Sequence, residues 1–194
     1  MTADVRNILA GVSALGDGFE LAWFADTPGA VLPTDASTAL DTSFKSAGFV
    51  TADGLTESTS INTTDLDAYG TFQPVRTLVT GEVRTFAVNA METNPVTLAI
   101  KSRQKLSAVT ATAGGSVDIT EGPARDALYA AVFHAVDGAN VVRKVVPNIR
   151  LTSLGDEQIA KAAGLAYAFT FTAYPDTNGV TVYSYYLLNG FGAS

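Results

Sequence analysis

The chain of 194 residues contains no cysteine, one histidine and one tryptophan. Without a thiol there is no disulfide framework, no thiolate nucleophile and no thiolate metal cluster. The lone histidine, His134, leaves only a carboxylate-rich arrangement as a route to a metal site. Long apolar runs are also missing. No stretch approaches the ~20 residues that cross a bilayer as a helix, so membrane insertion of that kind is excluded. The opening residues, MTADVRNILAGVSALG, carry Asp4 and alternate polar with apolar side chains. They lack the basic head and unbroken apolar run of a secretory signal, and none is expected.

Basic residues are scarce relative to acids. Twelve lysines and arginines against 19 acids give a net charge of −7. That charge repels a nucleic-acid backbone unless a concentrated basic patch overrides it. Two groups come nearest, Lys101, Arg103 and Lys105, and more loosely Arg143, Lys144 and Arg150. Neither is interleaved with the aromatics of a single-strand platform. The first group falls at the C-terminal end of an expected helix, where cations are favoured by the helix dipole.

What the chain has in quantity is β-branched side chains, 24 threonines and 19 valines, divided into short units by 17 glycines and seven prolines. β-branching restricts side-chain torsions and suits a pleated surface. The length suits one domain. The expectation is therefore a mainly β fold, with residues 1–19 as an N-terminal arm and 20–194 as the main domain.

Along that domain, Glu20–Ala25 reads as a short strand. Asp26–Ser43, rich in Thr, Asp, Ala and Pro, reads as a long loop, a length that usually serves a purpose. A turn at Asp53-Gly54 is followed by a polar alternating run whose only large aliphatics are Leu55, Ile61 and Leu66. Such a strand is marginal unless another strand or chain completes its edge. QPVRTLV and EVRTFAVNA read as two strands about a turn at Thr80-Gly81. Asn94 is placed to cap a helix of about eight to ten residues with Pro95 at its first position, and with Leu98 and Ile100 toward the sheet. Leu106–Thr112 and Ser116–Thr120 suggest a hairpin about Gly114-Gly115. DALYAAVFHAVD fits both periods, but the Asp137-Gly138 turn after it favours strand. Pro147 marks an edge, bulge or strand end, and Gly155–Gly164 a brief helical connection. LAYAFTFTAY, residues 165–174, alternates a heavy face with a small or hydroxylated one. PDTNG turns after it, and VTVYSYYLL returns as the last long strand.

No catalytic constellation stands out. His134 sits in an apolar run without an identifiable acid–base partner. Asp65 and Asp67 are two apart and share a strand face, where solvent exposure is the simpler account. Gly16-Asp17-Gly18 lacks the rest of a phosphate-cradling pattern. Asp176-Thr177-Asn178-Gly179 has the residues of half a calcium loop without its length or terminal Glu, and suits a turn. Tyr183, Tyr185 and Tyr186 offer either core mass or a surface for a sugar or another chain. No catalytic, cofactor-binding or metal residue is assigned.

Several ordered segments together resemble the major tail tube proteins of long-tailed, non-contractile bacteriophages, particularly those of actinobacteria. They are Gly48-Phe49-Val50-Thr51-Ala52-Asp53-Gly54-Leu55, Ala68-Tyr69-Gly70, Pro74-Val75-Arg76-Thr77, Glu82-Val83-Arg84-Thr85-Phe86 and Met91-Glu92-Thr93-Asn94. The series closes with Phe169-Thr170-Phe171-Thr172-Ala173-Tyr174-Pro175-Asp176 and Gly179-Val180. The resemblance spans roughly residues 45–188 and lies in order and spacing rather than in any one segment.

The resemblance implies a tail-tube-type β-sandwich or barrel with one short flanking α-helix and a long assembly loop at about 26–60 that contacts the next ring. It implies six-membered rings stacked into a conduit for DNA, with strands near 71–90 and 127–147 bordering the lumen and the arm 1–19 contributing to packing. Implied partners are further copies of itself and the tape measure, tail tip and tail terminator proteins, with genomic DNA in passage. Its place is the virion tail tube, assembled in the host cytoplasm, with no cofactor and no enzymatic activity. No added immunoglobulin-like domain is expected. The competing readings are a tube protein of a contractile tail or secretion machine, a carbohydrate-binding β-module using the C-terminal tyrosines, and a small hydrolase.

Overall fold

Thr- and Val-rich segments fold as extended backbone, and Gly70, Gly81 and Gly138 fall where that backbone turns or bulges. The computed structural model describes residues 21–122, 127–157 and 164–188. Its strands are β1 (Ala22–Asp26), β2 (Lys45–Ser46), β3 (Val50–Leu66), β4 (Arg76–Ala90), β5 (Tyr129–Asp137), β6 (Asn140–Leu154), β7 (Tyr167–Tyr174) and β8 (Tyr183–Leu187), with one helix, α1 (Pro95–Lys101). All pair antiparallel in the order β2-β1-β5-β6-β7-β4-β3, and β8 joins β6 off that path. The fold is mainly β with one short helix, as expected.

This single sheet curls until its faces meet. Phe24 of β1 lies 5.3 Å from Phe171 of β7, and Phe86 of β4 stacks at 5.1 Å on Phe133 of β5. Neither pair belongs to neighbouring strands. The alternation in β7 builds one wall of the core: Tyr167, Phe169, Phe171 and Ala173 are buried, while the residues between them are not. Tyr129 and Ile149 complete the same cluster.

A smaller cluster lies on the other face of β1, β5 and β6. Ala25, Phe44, Val132 and Val145 pack there beneath Leu32 and Leu40, so the segment between β1 and β2 folds back over its own sheet. The long loop is shorter than the expected 26–60. Residues 27–44 lack regular structure, but Val50–Leu66 is strand, because its register with β4 satisfies the backbone that a loop would leave to water.

Other expectations divide cleanly. Asn94 caps α1, its side-chain oxygen accepting from the N–H groups of Val96 and Thr97, both at 3.0 Å, while Thr97 Oγ1 accepts from the Asn94 N–H at 2.9 Å. The helix has seven residues and buries Val96, Thr97, Ala99 and Ile100, with Leu98 only half-buried. Asp137-Gly138 does open a tight turn, with Asp137 opposite Asn140 and Gly138 at φ +60°. Pro147 sits in a bulge opposite β5, where β6 also changes its other partner from β8 to β7. With no N–H to donate, proline fits that interruption.

Thr80-Gly81 is not a turn. β4 runs through it, pairing Asn62 with Gly81 and Thr63 with Val79, so Thr80 is an extra, bulged residue. The reversal lies between Leu66 and Arg76, where Gly70 takes φ +88°. Similarly, Asp53-Gly54 is an irregularity inside β3, not a turn between strands. Around Gly114-Gly115 one turn closes through Thr112 and Ser116 without flanking strands. The last strand is shorter than expected and returns to β6 instead of β7. β7 ends opposite Asn148 and β8 begins opposite Val145, so the two lie in tandem along one edge of β6. The expected arm 1–19 and most of the expected helical connection, residues 158–163, lie outside the described residues; Gly155–Glu157 is not helical.

Candidate assembly surface

The β3–β4 hairpin outruns the sheet that carries it. β7 pairs with β4 only from Arg84 to Ala90, whereas β3 and β4 continue pairing with each other to Leu66 and Arg76. Beyond Arg84 the hairpin is therefore a two-stranded arm. Both its faces are open: Ile61, Val75 and Val79 are each more than half exposed, and Tyr69 and Phe72 at the tip are fully exposed. A hairpin alone is marginal in water, and scattered surface apolar residues need no explanation. A row of them ending in two bare aromatics on an unsupported hairpin does.

The base of the arm is tied down electrostatically. Glu57 on β3 receives Lys144 of β6 and lies 3.8 Å from Arg84 of β4, whose Nε donates to Glu82 at 2.7 Å. Farther out, Thr77 donates to Asp65 at 2.6 Å and Thr80 to the Asn62 carbonyl at 3.1 Å. The outer edge of β3 is unpaired among the described residues, as is that of β8, while the two-residue β2 closes the other end of the sheet order. Such edges template pairing with another chain.

A second anchor fixes the loop. Arg143, 4% exposed, donates through Nη1 to the carbonyls of Asp35 (3.0 Å) and Thr38 (2.7 Å) and through Nε to His134 Nδ1 (3.1 Å). Burial, and then the Arg143 charge, push the His134 pKa down. Hydrogen bonds from Thr38 and Ser37 bring the Asp35 carboxyl down to about 2, with the Thr38 hydroxyl the largest cause.

The residues singled out in the sequence are used structurally. His134 is a hydrogen-bond acceptor for Arg143. The basic groups disperse: Lys101 pairs with Glu157, Arg143 holds the loop, Lys144 meets Glu57, and Arg150 stacks 5.2 Å from the Tyr174 ring. Asp65 bonds Thr77 while Asp67 is exposed, so the two do not act as a pair. Asp176 organises its turn by accepting from the N–H groups of Asn178 and Val180 and from the Tyr183 hydroxyl. Tyr183 and Tyr185 pack on the smaller cluster while Tyr186 is exposed, which leaves no continuous tyrosine platform. Among the described residues no three His, Cys, Asp or Glu side chains gather as metal ligands, and no helix is long and apolar enough to cross a membrane. The feature missed by sequence reading was the arm, because its bulge at Thr80-Gly81 carries the same local signal as a turn.

A curled β domain with unpaired edges and a projecting hairpin belongs among proteins built to associate. The family model described as phage tail tube protein matches residues 23–189, nearly the whole chain, and the chain belongs to that family. It is a structural protein of the bacteriophage tail, self-assembling into a tube. No curated protein matches the chain.

Proposed function

We propose that the chain forms rings of six, that the rings stack into the tube of a long, non-contractile tail, and that the genome leaves the virion through it. The β3–β4 arm is the observation that most supports this reading. It exposes apolar side chains and backbone edges that the described residues do not cover and a neighbouring copy would. The loop before β2 and the arm 1–19 would add contacts between subunits. The tape measure, tip and terminator proteins would set length and close the ends. Assembly would take place in the host cytoplasm, and the role requires no catalysis.

Six copies at −7 carry −42 per ring. The strands near 71–90 and 127–147 that would border the bore hold Arg76, Arg84, Arg143 and Lys144 against Glu82 and Asp137, so the negative excess lies on the rest of the subunit. Repulsion of DNA in passage would come from the ring as a whole, less effectively at high salt. Negative-stain imaging of the purified chain at rising concentration tests the proposal. Rings and hollow tubes are expected; compact monomers at every concentration would refute it.

A further inference from the structure

Two of the cations after α1 have no counter-charge in the subunit. Lys101 pairs with Glu157, but Arg103 and Lys105 form no ion pair among the described residues. The stretch from Lys101 to Val117 holds three bases and no acid, in a chain whose acids outnumber its bases 19 to 12. Arg103 is also the one described non-glycine residue at positive φ, +54°. It stands just past the Ser102 cap of α1, where its N–H donates to the Ile100 carbonyl at 3.0 Å. The Gln104 N–H donates to that of Ala99 at 2.9 Å, which completes the turn that ends the helix. Glycine takes that position without strain, and arginine does not. The strain holds in place a guanidinium with no acidic partner.

Arg103 and Ala127 line two adjoining depressions. The larger, about 320 Å³, is also bounded by Thr27, Gln104, Lys105 and Leu128. The smaller, about 220 Å³, adds Arg150 and Tyr174. No described acid lines either one. Asp26, next to Thr27, is occupied by the N–H groups of Leu106 and Ser107, at 2.7 and 3.1 Å. The Thr27 hydroxyl is buried without a hydrogen-bond partner, which costs free energy until an acceptor is supplied. A single χ1 step carries it to another staggered position on the residue that walls the depression. A guanidinium, an ammonium and a hydroxyl thus meet with nothing negative between them.

We propose that this is a binding site for a phosphate group, free or as the monoester of a small molecule. Arg103 supplies a planar fork that matches phosphate oxygens two at a time, and Lys105 a point charge. Turned toward the depression, the Thr27 hydroxyl donates to a third oxygen. A carboxylate has two oxygens for these donors, whereas a phosphate monoester near neutral pH offers three and close to two charges. A nucleic-acid backbone matches less well, because each of its phosphates carries a single charge. Bound phosphate bridges three parts of the chain: the exit from α1, the start of the loop after β1 and the entry to β5. No residue of β3 or β4 lines the site, so the inference stands independently of the tube reading.

Thermal unfolding of the full chain in potassium phosphate, against potassium chloride of equal ionic strength, tests the site. A ligand at about twenty times its dissociation constant raises the midpoint of a chain this size by about 4–7 °C. Phosphate also stabilises proteins by exclusion from their surface, so the variants decide. Arg103→Gly relieves the strain and removes the fork. Its midpoint in chloride should hold or rise, and most of the phosphate shift should vanish. Lys105→Gln should keep the chloride midpoint and lose part of the shift. Shifts of equal size in all three chains are exclusion alone and overturn the site. A lower chloride midpoint in Arg103→Gly with the phosphate shift intact gives Arg103 a purely internal role, and also overturns it. So does a shift with duplex DNA and none with phosphate. Adenosine monophosphate separates the two sources. A larger shift than inorganic phosphate gives, absent in Arg103→Gly, assigns the smaller depression to the organic part, and an equal shift makes the free ion the ligand.

Discussion

Arg143 Nε donates to His134 Nδ1 across 3.1 Å on paired positions of β5 and β6, and the same guanidinium holds two carbonyls of the loop that crosses them. The acceptor role requires that His134 carry no proton on Nδ1. Protonation would set a second cation against a buried one. Asp53 and Lys144 border the same depression, and neither bonds to the imidazole.

Stability should therefore fall on mild acidification. The folded His134 pKa lies below its unfolded value of 6.5, so the unfolded chain binds the extra proton first. The contribution is complete above about pH 6.5 and is lost as pH falls from there toward the folded pKa. Urea midpoints at pH 7.5 and 5.5 should differ for the unaltered chain and much less for His134→Gln. Equal drops in both would show that other groups govern this window. Asp35, with its carboxyl near 2, acts lower, from about pH 4 downward.

Arg143→Met should free the loop without unfolding the sheet. The substitution keeps apolar bulk but leaves the Asp35 and Thr38 carbonyls without their donor, a cost of about 1–3 kcal/mol. Amide exchange should accelerate over residues 27–44 and remain slow in β7. Unchanged exchange in the loop would mean that Leu32, Leu40 and Phe44 hold it unaided.

Gly48 is a position where a side chain is excluded twice over. Its φ is +78°, and an added Cβ would stand 2.3 Å from the Glu92 carboxylate carbon. Glu92 accepts from the Phe49 N–H at 2.8 Å, so its displacement would loosen the entry to β3. Gly48→Ala should cost about 1–2 kcal/mol from backbone strain alone, with a matching drop in the thermal midpoint. Gly29, with φ +133° and open space around it, should be affected through backbone strain only.

How far the sequence carried depended on the range of the determining interaction. The cap at Asn94-Pro95 and the alternation of Tyr167, Phe169 and Phe171 are local, and both were legible. The departure at Thr80-Gly81 is not, since a glycine after a threonine suits a turn or a bulge, and only the register with Asn62 and Thr63 decides. β8 shows the same limit. Val145 wins Tyr183 as its partner through space, while adjacency in sequence suggests β7. The loop anchor was invisible for a related reason: Asp35 and Arg143 are 108 positions apart.

The ion-pair row at the base of the arm should control its direction more than the subunit's stability. Glu57 links β3 to Lys144 of β6 and lies beside Arg84 of β4, and all three side chains are partly exposed. Partly exposed pairs contribute about 0–1 kcal/mol each, so Glu57→Gln should lower the urea midpoint only slightly. Among the described residues the arm beyond Arg84 has no third strand to fix it, and this row is its cross-brace to β6. Loosening the brace lets the arm explore more directions, and association that pairs its edges with another copy is sensitive to that loss of preorganisation. Glu57→Gln should slow tube growth while preserving the folded monomer, and raised salt should weaken the same brace in the unaltered chain. Light scattering during assembly, beside urea unfolding of the monomer, separates the two effects. Equal growth rates for both chains at low salt would show that the hairpin's own twist and bulge aim the tip.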